Sequence, residues 1–455
     1  MHMDDMGSLA CDVCVVGGGS GGIGAALAAS REGASVVLLE REAQLGGTAV
    51  HAGVQSWEPG VGGTGLPREI YYQLAQIAQA AAIQSLRAPY SAGHPYAEWR
   101  HDPARTYGDT LWRAGFPYAL CHSITFEPEA YLKVVGQMLA ATDRWRVLCQ
   151  SPFVEAKAQD RRLVSLTAER DGRRFEVVAK VFIDCTADVH LCRAAGCETM
   201  LGEDSRERFG EPDAPERPSR RVNGVSMIYR IRRTGQSQVE PLPPGVAPGS
   251  WKRPAHTTEF ACGDRLFNVL PTMEGQEFLE AGYERGLEEC RRRAAAHWHW
   301  MQMEHGFADW RRVWIAPRPG VRETHRVVGE YVLREQDLLA GLAGQGHEDI
   351  IATADHAMDI HGQGGGCREL PGPYGVPYRC LIPKGWRNLL VACRGASFSH
   401  ISASSCRLSR TMMQLGQAAG IAAVLAAQDG REVGAVDVAR LRRRLSEEGV
   451  RLMAT

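Results

Sequence analysis

CDVCVVGGGSGGIGAALAASREGASVVLLERE, residues 11–42, is the most informative stretch of this chain. Asp12 to Val16 are largely apolar and β-prone, and Gly17, Gly19 and Gly22 then spell G-x-G-x-x-G around Ser20 and Gly21. An Ala-rich run follows, and a second apolar segment ends at Glu40 and Arg41. Strand, tight turn, helix and strand in this order form a β-α-β unit. The first glycine makes the turn, the second admits a pyrophosphate to the backbone, and the third lets helix and strand pack closely. The helix N-terminus offers free N–H groups and a positive dipole end to phosphate. Glu40, about 20 residues on, stands where an acid binds the ribose hydroxyls of a dinucleotide.

Composition narrows the partners. The chain has 455 residues, which favours two interlocked domains over one core. Lys and Arg number 52 against 53 Asp and Glu, so no overall basic field gathers nucleic acid or anionic membrane. The expected partner is a small molecule. No apolar run approaches the roughly 18 residues of a membrane span, and the first ten residues lack signal-peptide character, so a soluble cytoplasmic protein is expected. Thirteen scattered cysteines suit reduced thiols. Cys11 and Cys14 form C-x-x-C, but on a strand residues three apart face opposite ways and cannot clasp one metal. No metal site is expected, and the oligomeric state is open, a homodimer being one option.

Later segments choose between dinucleotides. REAQLGGTAVHAGVQSW, residues 41–57, carries Gly46, Gly47 and Gly53, which let a loop run close beneath a flat ring. KVFIDCTADVHLCRAAGC, residues 180–197, returns as a strand with small residues at its end. A third return begins at RNLLVACRGAS and continues into a helix rich in Gly and Ala.

With VVGGGSGGIGAALAASREGASVVLLERE, LGGTAVHAG, FIDCTADVHLCRAAG, GVRETHRVVGEYVL, DIHG, YRCLIPKGWRNLLVACR and LGQAAGIAA, the chain resembles the FAD-dependent oxidoreductase family. That family is related to fumarate-reductase-type and glutathione-reductase-like flavoproteins. The resemblance spans most of the chain and implies an α/β fold: a Rossmann-type FAD domain in two parts, 1–199 and 376–455, with an inserted mixed α/β substrate domain at 200–375. It implies non-covalent FAD, with Gly17, Gly19, Ser20, Gly21 and Gly22 at the pyrophosphate and Glu40 and Arg41 at the ribose. Gly46, Gly47 and Thr48 would line the isoalloxazine, with Ala187 and the helix bearing Gly416, Gln417 and Ala418 nearby. The family's small-Thr-Gly-Asp turn reads Cys185-Thr186-Ala187-Asp188 here. Where relatives carry flavin on a histidine this chain has Gly47, and His51 is the alternative attachment point.

Between these returns lie the substrate candidates. GEDSRERFGEPDAPERPSRR, residues 202–221, reads as an exposed loop. Residues 274–310 read as one long charged helix on which His297, Met301 and His305 share a face that is better read as packing than as a metal site. Arg322 and Arg326 are four apart, a spacing that returns both to one side in helix or strand, to grip a carboxylate or phosphate or to pair with Glu323, Glu330 or Asp337. Arg394 is a third anion-binding candidate. His361, in MDIHGQGGG, is the first choice for acid–base work, with His400 and Tyr378 second.

Missing motifs narrow the chemistry further. There is no second G-x-G-x-x-G, no C-x-x-x-x-C redox loop after Gly47, and ACRGAS replaces the Gly-Asp turn of aromatic hydroxylases. The expected function is a dehydrogenase or oxidase passing a hydride between a small organic substrate, anionic or aromatic, and flavin N5. Alternatives are an NAD(P)H-dependent flavin monooxygenase and a flavin-bound electron-transfer subunit.

Overall fold

The computed structural model describes residues 7–91 and 94–452. Its first sheet grows from the opening stretch: β1 (Ser8–Val16), α1 (Ser20–Arg31) and β2 (Val36–Leu39) form the expected unit. β1 pairs in parallel with β2 on one side and with the strand Arg173–Asp184 on the other. Trp145–Leu148 extends the parallel order beyond β2, and Leu389–Val391 extends it beyond Asp184. The last four residues of β1 and all of β2 are buried, as strands covered on both faces must be. The outer half of Arg173–Asp184 turns antiparallel to Arg162–Arg170, which pairs with Phe153–Gln159.

Helix Ser409–Asp429 packs against α1, and glycine sets the spacing. A Cβ on Gly416 would lie 2.0 Å from the Gly21 carbonyl oxygen, and one on Gly420 would lie 2.4 Å from that of Ala25. Any side chain there would push the helices apart, which explains the Gly and Ala content of both.

The second sheet has eight strands, in the order Trp310–Ile315, Ile228–Arg233, Arg265–Val269, Ala255–Glu259, Tyr96–His101, Ala81–Ala88, His122–Phe126 and Ser56–Trp57. The expected boundaries are therefore crossed in both directions. Four strands of this sheet lie between residues 56 and 126, while Val327, Leu333, Leu338 and Tyr374 pack into the core of the first sheet. Membership follows strand pairing and burial, which local composition does not encode.

The charged segment 274–310 also differs from expectation. It forms two helices, Gly275–Ala281 and Tyr283–Glu304, split at Gly282, whose φ of +79° and ψ of 160° are not helical, and it reaches a strand at Trp310. The longer helix covers one face of the second sheet, burying Trp298 and His297 with Tyr229 and Phe267. No helix among the described residues is long and apolar enough to cross a membrane.

Candidate active site

A cavity of about 1310 Å3 lies between the two sheets, and its walls are built from both. That exceeds the usual volume of a single small-ligand pocket, roughly 300–1,000 Å3, and so accommodates a large cofactor beside a second molecule.

The first wall is a dinucleotide cradle. Gly17 has φ +101°, and a Cβ there would lie 2.4 Å from the Cys185 carbonyl oxygen. Gly22 faces inward, its hypothetical Cβ 1.8 Å from the Gly17 carbonyl, so it shapes the turn without lining the cavity. Gly17, Gly19, Ser20 and Gly21 do line it. No side chain caps α1 at Gly19 and no acid stands in its first turn, which leaves its N–H groups open to an anion. Glu40 is buried at the cavity edge and accepts from the Gly18 N–H at 2.6 Å and the Glu42 N–H at 2.9 Å, with Arg41 beside it on the wall. The Gly46 N–H donates to the Gly18 carbonyl, and a Cβ on Gly47 would lie 2.8 Å from the Gly19 Cα. Backbone crosses backbone here at a distance only glycine permits. Gly47 and Thr48 line the cavity and Gly46 does not, while His51 lines it with its Nε2 tied to the Gln44 carbonyl at 2.9 Å.

The second return is fastened by Asp184, whose carboxylate accepts from the Thr186 and Cys192 N–H groups at 2.9 Å. Ala187 lines the cavity with φ +68°, a left-handed conformation that favours glycine and that the alanine adopts here. Arg394 also lines it but is committed to Asp188 at 2.6 Å, and that pair holds the Asp188 carboxyl low against the upward push of burial. Leu408, Ser409 and Met412 bring the start of the Ser409–Asp429 helix to the wall.

Gly416, Gln417 and Ala418 are a correction. They lie about two turns deeper, off the cavity wall: Gly416 spaces the helices, Gln417 binds the Leu66 N–H and Glu448, and Ala418 is fully buried. They support the cradle from behind its wall.

The opposite wall holds the polar chemistry. His361 Nε2 lies 2.8 Å from Asp359 Oδ2, and Arg407 meets the same carboxylate oxygen at 3.2 Å. Burial pushes Asp359 up, but the bond from His361 and the charges around it hold the carboxyl far below the usual range. An ionised Asp359 fixes the imidazole as the Nε2–H tautomer and leaves Nδ1 with its lone pair. Burial first, then the Arg322 cation, pushes His361 down to about 4, so the ring is neutral at physiological pH. Arg322 donates to the Gly224 carbonyl at 2.8 Å and Ser226 Oγ at 2.9 Å, both uncharged, and forms no ion pair among the described residues. Burial and the neighbouring Arg407 push it down to about 9. It is a cation at neutral pH that Asp359 and Glu58 favour from a distance, with no carboxylate in direct contact among the described residues. Farther along, Arg113 lies 4.4 Å from the Tyr118 ring centroid and binds Glu369 at 2.7 Å, with Glu58 at 3.7 Å.

Arg326, His400 and Tyr378 do not reach the cavity. Arg326 is 0% exposed and forms a buried ion cluster with Glu323 and Asp204. The residues from 321 to 325 follow no regular helix or strand, so the four-residue spacing does not return Arg322 and Arg326 to one side. His400 Nδ1 lies 3.0 Å from Glu323 in the same cluster, and the Tyr378 hydroxyl donates to the Val433 carbonyl at 2.8 Å. Asp204 belongs to the stretch read as a plain exposed loop, which is pinned into the core there and at Glu211. His297 lies in the core between Tyr229 and the Arg253 carbonyl.

Sequence reading missed Arg407, Gln55, Asn268, His256, Glu58 and Arg113, all on the cavity wall. Arg407 was within reach, since it immediately precedes the start of a helix already singled out. The others are single polar residues on strands or loops with no local signature.

Comparison with known proteins agrees with this cradle. A family model described as FAD dependent oxidoreductase matches residues 12–445. The 4-oxocyclohex-2-ene-1-carboxylate 5-dehydrogenase of Sinomonas cyclohexanicum is 45% identical over 53 residues, 12% of this chain and 9% of that enzyme, so the match spans under a tenth of its length. A geranylgeranyl bacteriochlorophyll reductase-like protein from Thermoplasma acidophilum superposes with a TM-score of 0.51 at 11% identity, covering 98% of this chain and 85% of the other. The p-nitrophenol 4-monooxygenase of Pseudomonas putida gives 0.42 at 14% identity, covering 97% and 81%. At such identities the likeness is one of fold alone.

Proposed function

The chain belongs to the FAD-dependent oxidoreductase family, and from that premise we propose that it is a dehydrogenase or oxidase acting on an organic anion. FAD, when bound, supplies the acceptor for two electrons. The observation that carries the reading is one cavity holding a neutral His361 oriented by Asp359 together with an unpaired Arg322.

Arg322 binds the substrate's anionic group, because its guanidinium donates only to neutral acceptors and the nearby Asp359 and Glu58 carboxylates form no direct pair with it among the described residues. His361, neutral at pH 7, takes the proton released as the substrate carbon gives up its hydride, and Asp359 stabilises the imidazolium so formed. In the oxidative direction read here, His361 acts as base.

The test is anaerobic. FAD-loaded protein is mixed separately with NADH, NADPH and a panel of carboxylates that includes cyclohexane and cyclohexene carboxylates, the class named by the Sinomonas enzyme. Loss of the oxidised-flavin band on adding a carboxylate, with no response to nicotinamide, supports the reading. Rapid bleaching by NADH or NADPH alone overturns it in favour of a monooxygenase, whose product would then gain one oxygen atom by mass.

A further inference from the structure

The second sheet forms the cavity floor, and its strand alternation sorts side chains by face. Asn268 stands directly opposite Ile228 on one neighbouring strand and His256 on the other. Cross-strand partners share a face with Cβ atoms about 4.5–5.5 Å apart, so these three form one row. All three line the cavity, while Tyr229 and Phe267, one position along, turn to the covered face and its helix. A floor that needed only to be dry would be apolar throughout this row. Among the described residues, Asn268 Oδ1 is instead buried without a hydrogen-bond partner, and so is Oε1 of Gln55, a cavity-lining residue only 2% exposed. A buried acceptor left unpaired costs about 1–3 kcal/mol, so a donor reaching either oxygen from the cavity would be favoured. The ring of His256, on the same wall, makes no hydrogen bond among the described residues.

We propose that Gln55, Asn268 and His256 form an acceptor-lined subsite that binds a hydroxyl or amino group of the substrate and so selects anions carrying a second, hydrogen-donating substituent. This inference rests on the reading of Arg322 as the anion site and adds the other half of the substrate. Arg322 takes the charge, and the floor takes an O–H or N–H. A substrate presenting a methyl group there leaves both amide oxygens unpaired, which is how a polar pocket rejects an apolar isostere.

The test measures binding to the FAD-loaded full-length protein by calorimetry and by perturbation of the flavin spectrum. The probes are benzoates substituted at position 3 or 4 with hydroxyl, amino, methoxy or methyl. The expected result is that the hydroxy or amino compound binds at least about tenfold more tightly than the methyl and methoxy compounds. In Asn268→Leu and Gln55→Met that preference falls to within about twofold, with methylbenzoate bound at least as tightly as by the parent protein and FAD content unchanged. Unchanged FAD content and retained methylbenzoate binding show that these variants are folded. Equal binding of all substituents, or a preference that survives both substitutions, overturns the subsite and leaves the Arg322 reading standing. Failure of every benzoate to bind overturns the Arg322 reading and the subsite with it.

Discussion

Arg322 and Arg326, four residues apart, have opposite fates, and that contrast yields the first prediction. Arg322 meets only neutral acceptors on the cavity wall, so Arg322→Gln is expected to raise KM for an anionic substrate about 10- to 100-fold, with unfolding unchanged. Arg326 neutralises Glu323 and Asp204 in the core, so Arg326→Met leaves buried carboxylates short of a counter-charge and should lower stability by about 3–5 kcal/mol by denaturant titration. His361 supplies the second prediction. His361→Gln should reduce kcat by about 10²- to 10⁴-fold while FAD stays bound. Because the base must be neutral and burial pushes it down to about 4, kcat/KM should be flat through neutral pH and fall in acid, and it should fall again in alkali as Arg322, pushed down to about 9, loses its charge. Arg322→Gln removes a cation that holds this pKa down, so the acid limb should move to higher pH, read from the pH profile. His297 makes a third, through stability. Burial pushes it down to about 3, so between pH 3 and 6.5 the unfolded chain binds a proton that the native ring does not. Stability therefore rises with pH across that window and is lost as pH falls through it. Thermal unfolding followed from pH 7 to pH 4 should show this loss, and His297→Gln should flatten it.

At the level of elements, α1 and the Ser409–Asp429 helix are held in contact by two glycines that differ in their distance from the cradle. A Cβ on Gly416 would strike the carbonyl of Gly21, inside the pyrophosphate turn, whereas one on Gly420 would strike Ala25, a turn farther along α1. Gly416→Ala and Gly420→Ala should each cost about 1–3 kcal/mol by overpacking. Only Gly416→Ala should also weaken FAD binding, measured by titrating FAD into the flavin-free protein. The break at Gly282 is a second consequence at this scale. The chain there adopts φ +79°, a conformation ordinary side chains resist, and so ends one helix and starts the helix that covers the second sheet.

In the whole molecule the site belongs to neither sheet alone. The parallel sheet supplies the cradle from the carboxyl ends of its strands, and the eight-stranded sheet supplies the floor, so ligands that bind between them tie the two together. FAD at 100-fold excess over its Kd should add about 2.7 kcal/mol of stability, read as a higher Tm for the holoprotein than for the flavin-free form. The dinucleotide cradle was legible in the residues themselves because its geometry is local. Gly17, Gly19, Gly22 and Glu40 are held in register by one β-α-β unit, and their types follow from the turn, the close packing and the anion they serve. His361 was singled out by its place in MDIHGQGGG and by the family resemblance, whereas its pairing with Asp359 is set by the folded backbone. The remainder of the site depends on long-range pairing. Asn268 faces His256 because two strands lie in one register, Arg322 is separated from Arg326 by an irregular backbone, and residues 56–126 join the second sheet by hydrogen bonding to distant strands. A side chain's neighbours across a sheet are set by the folded backbone and by which face is buried, and no spacing along the chain carries that information.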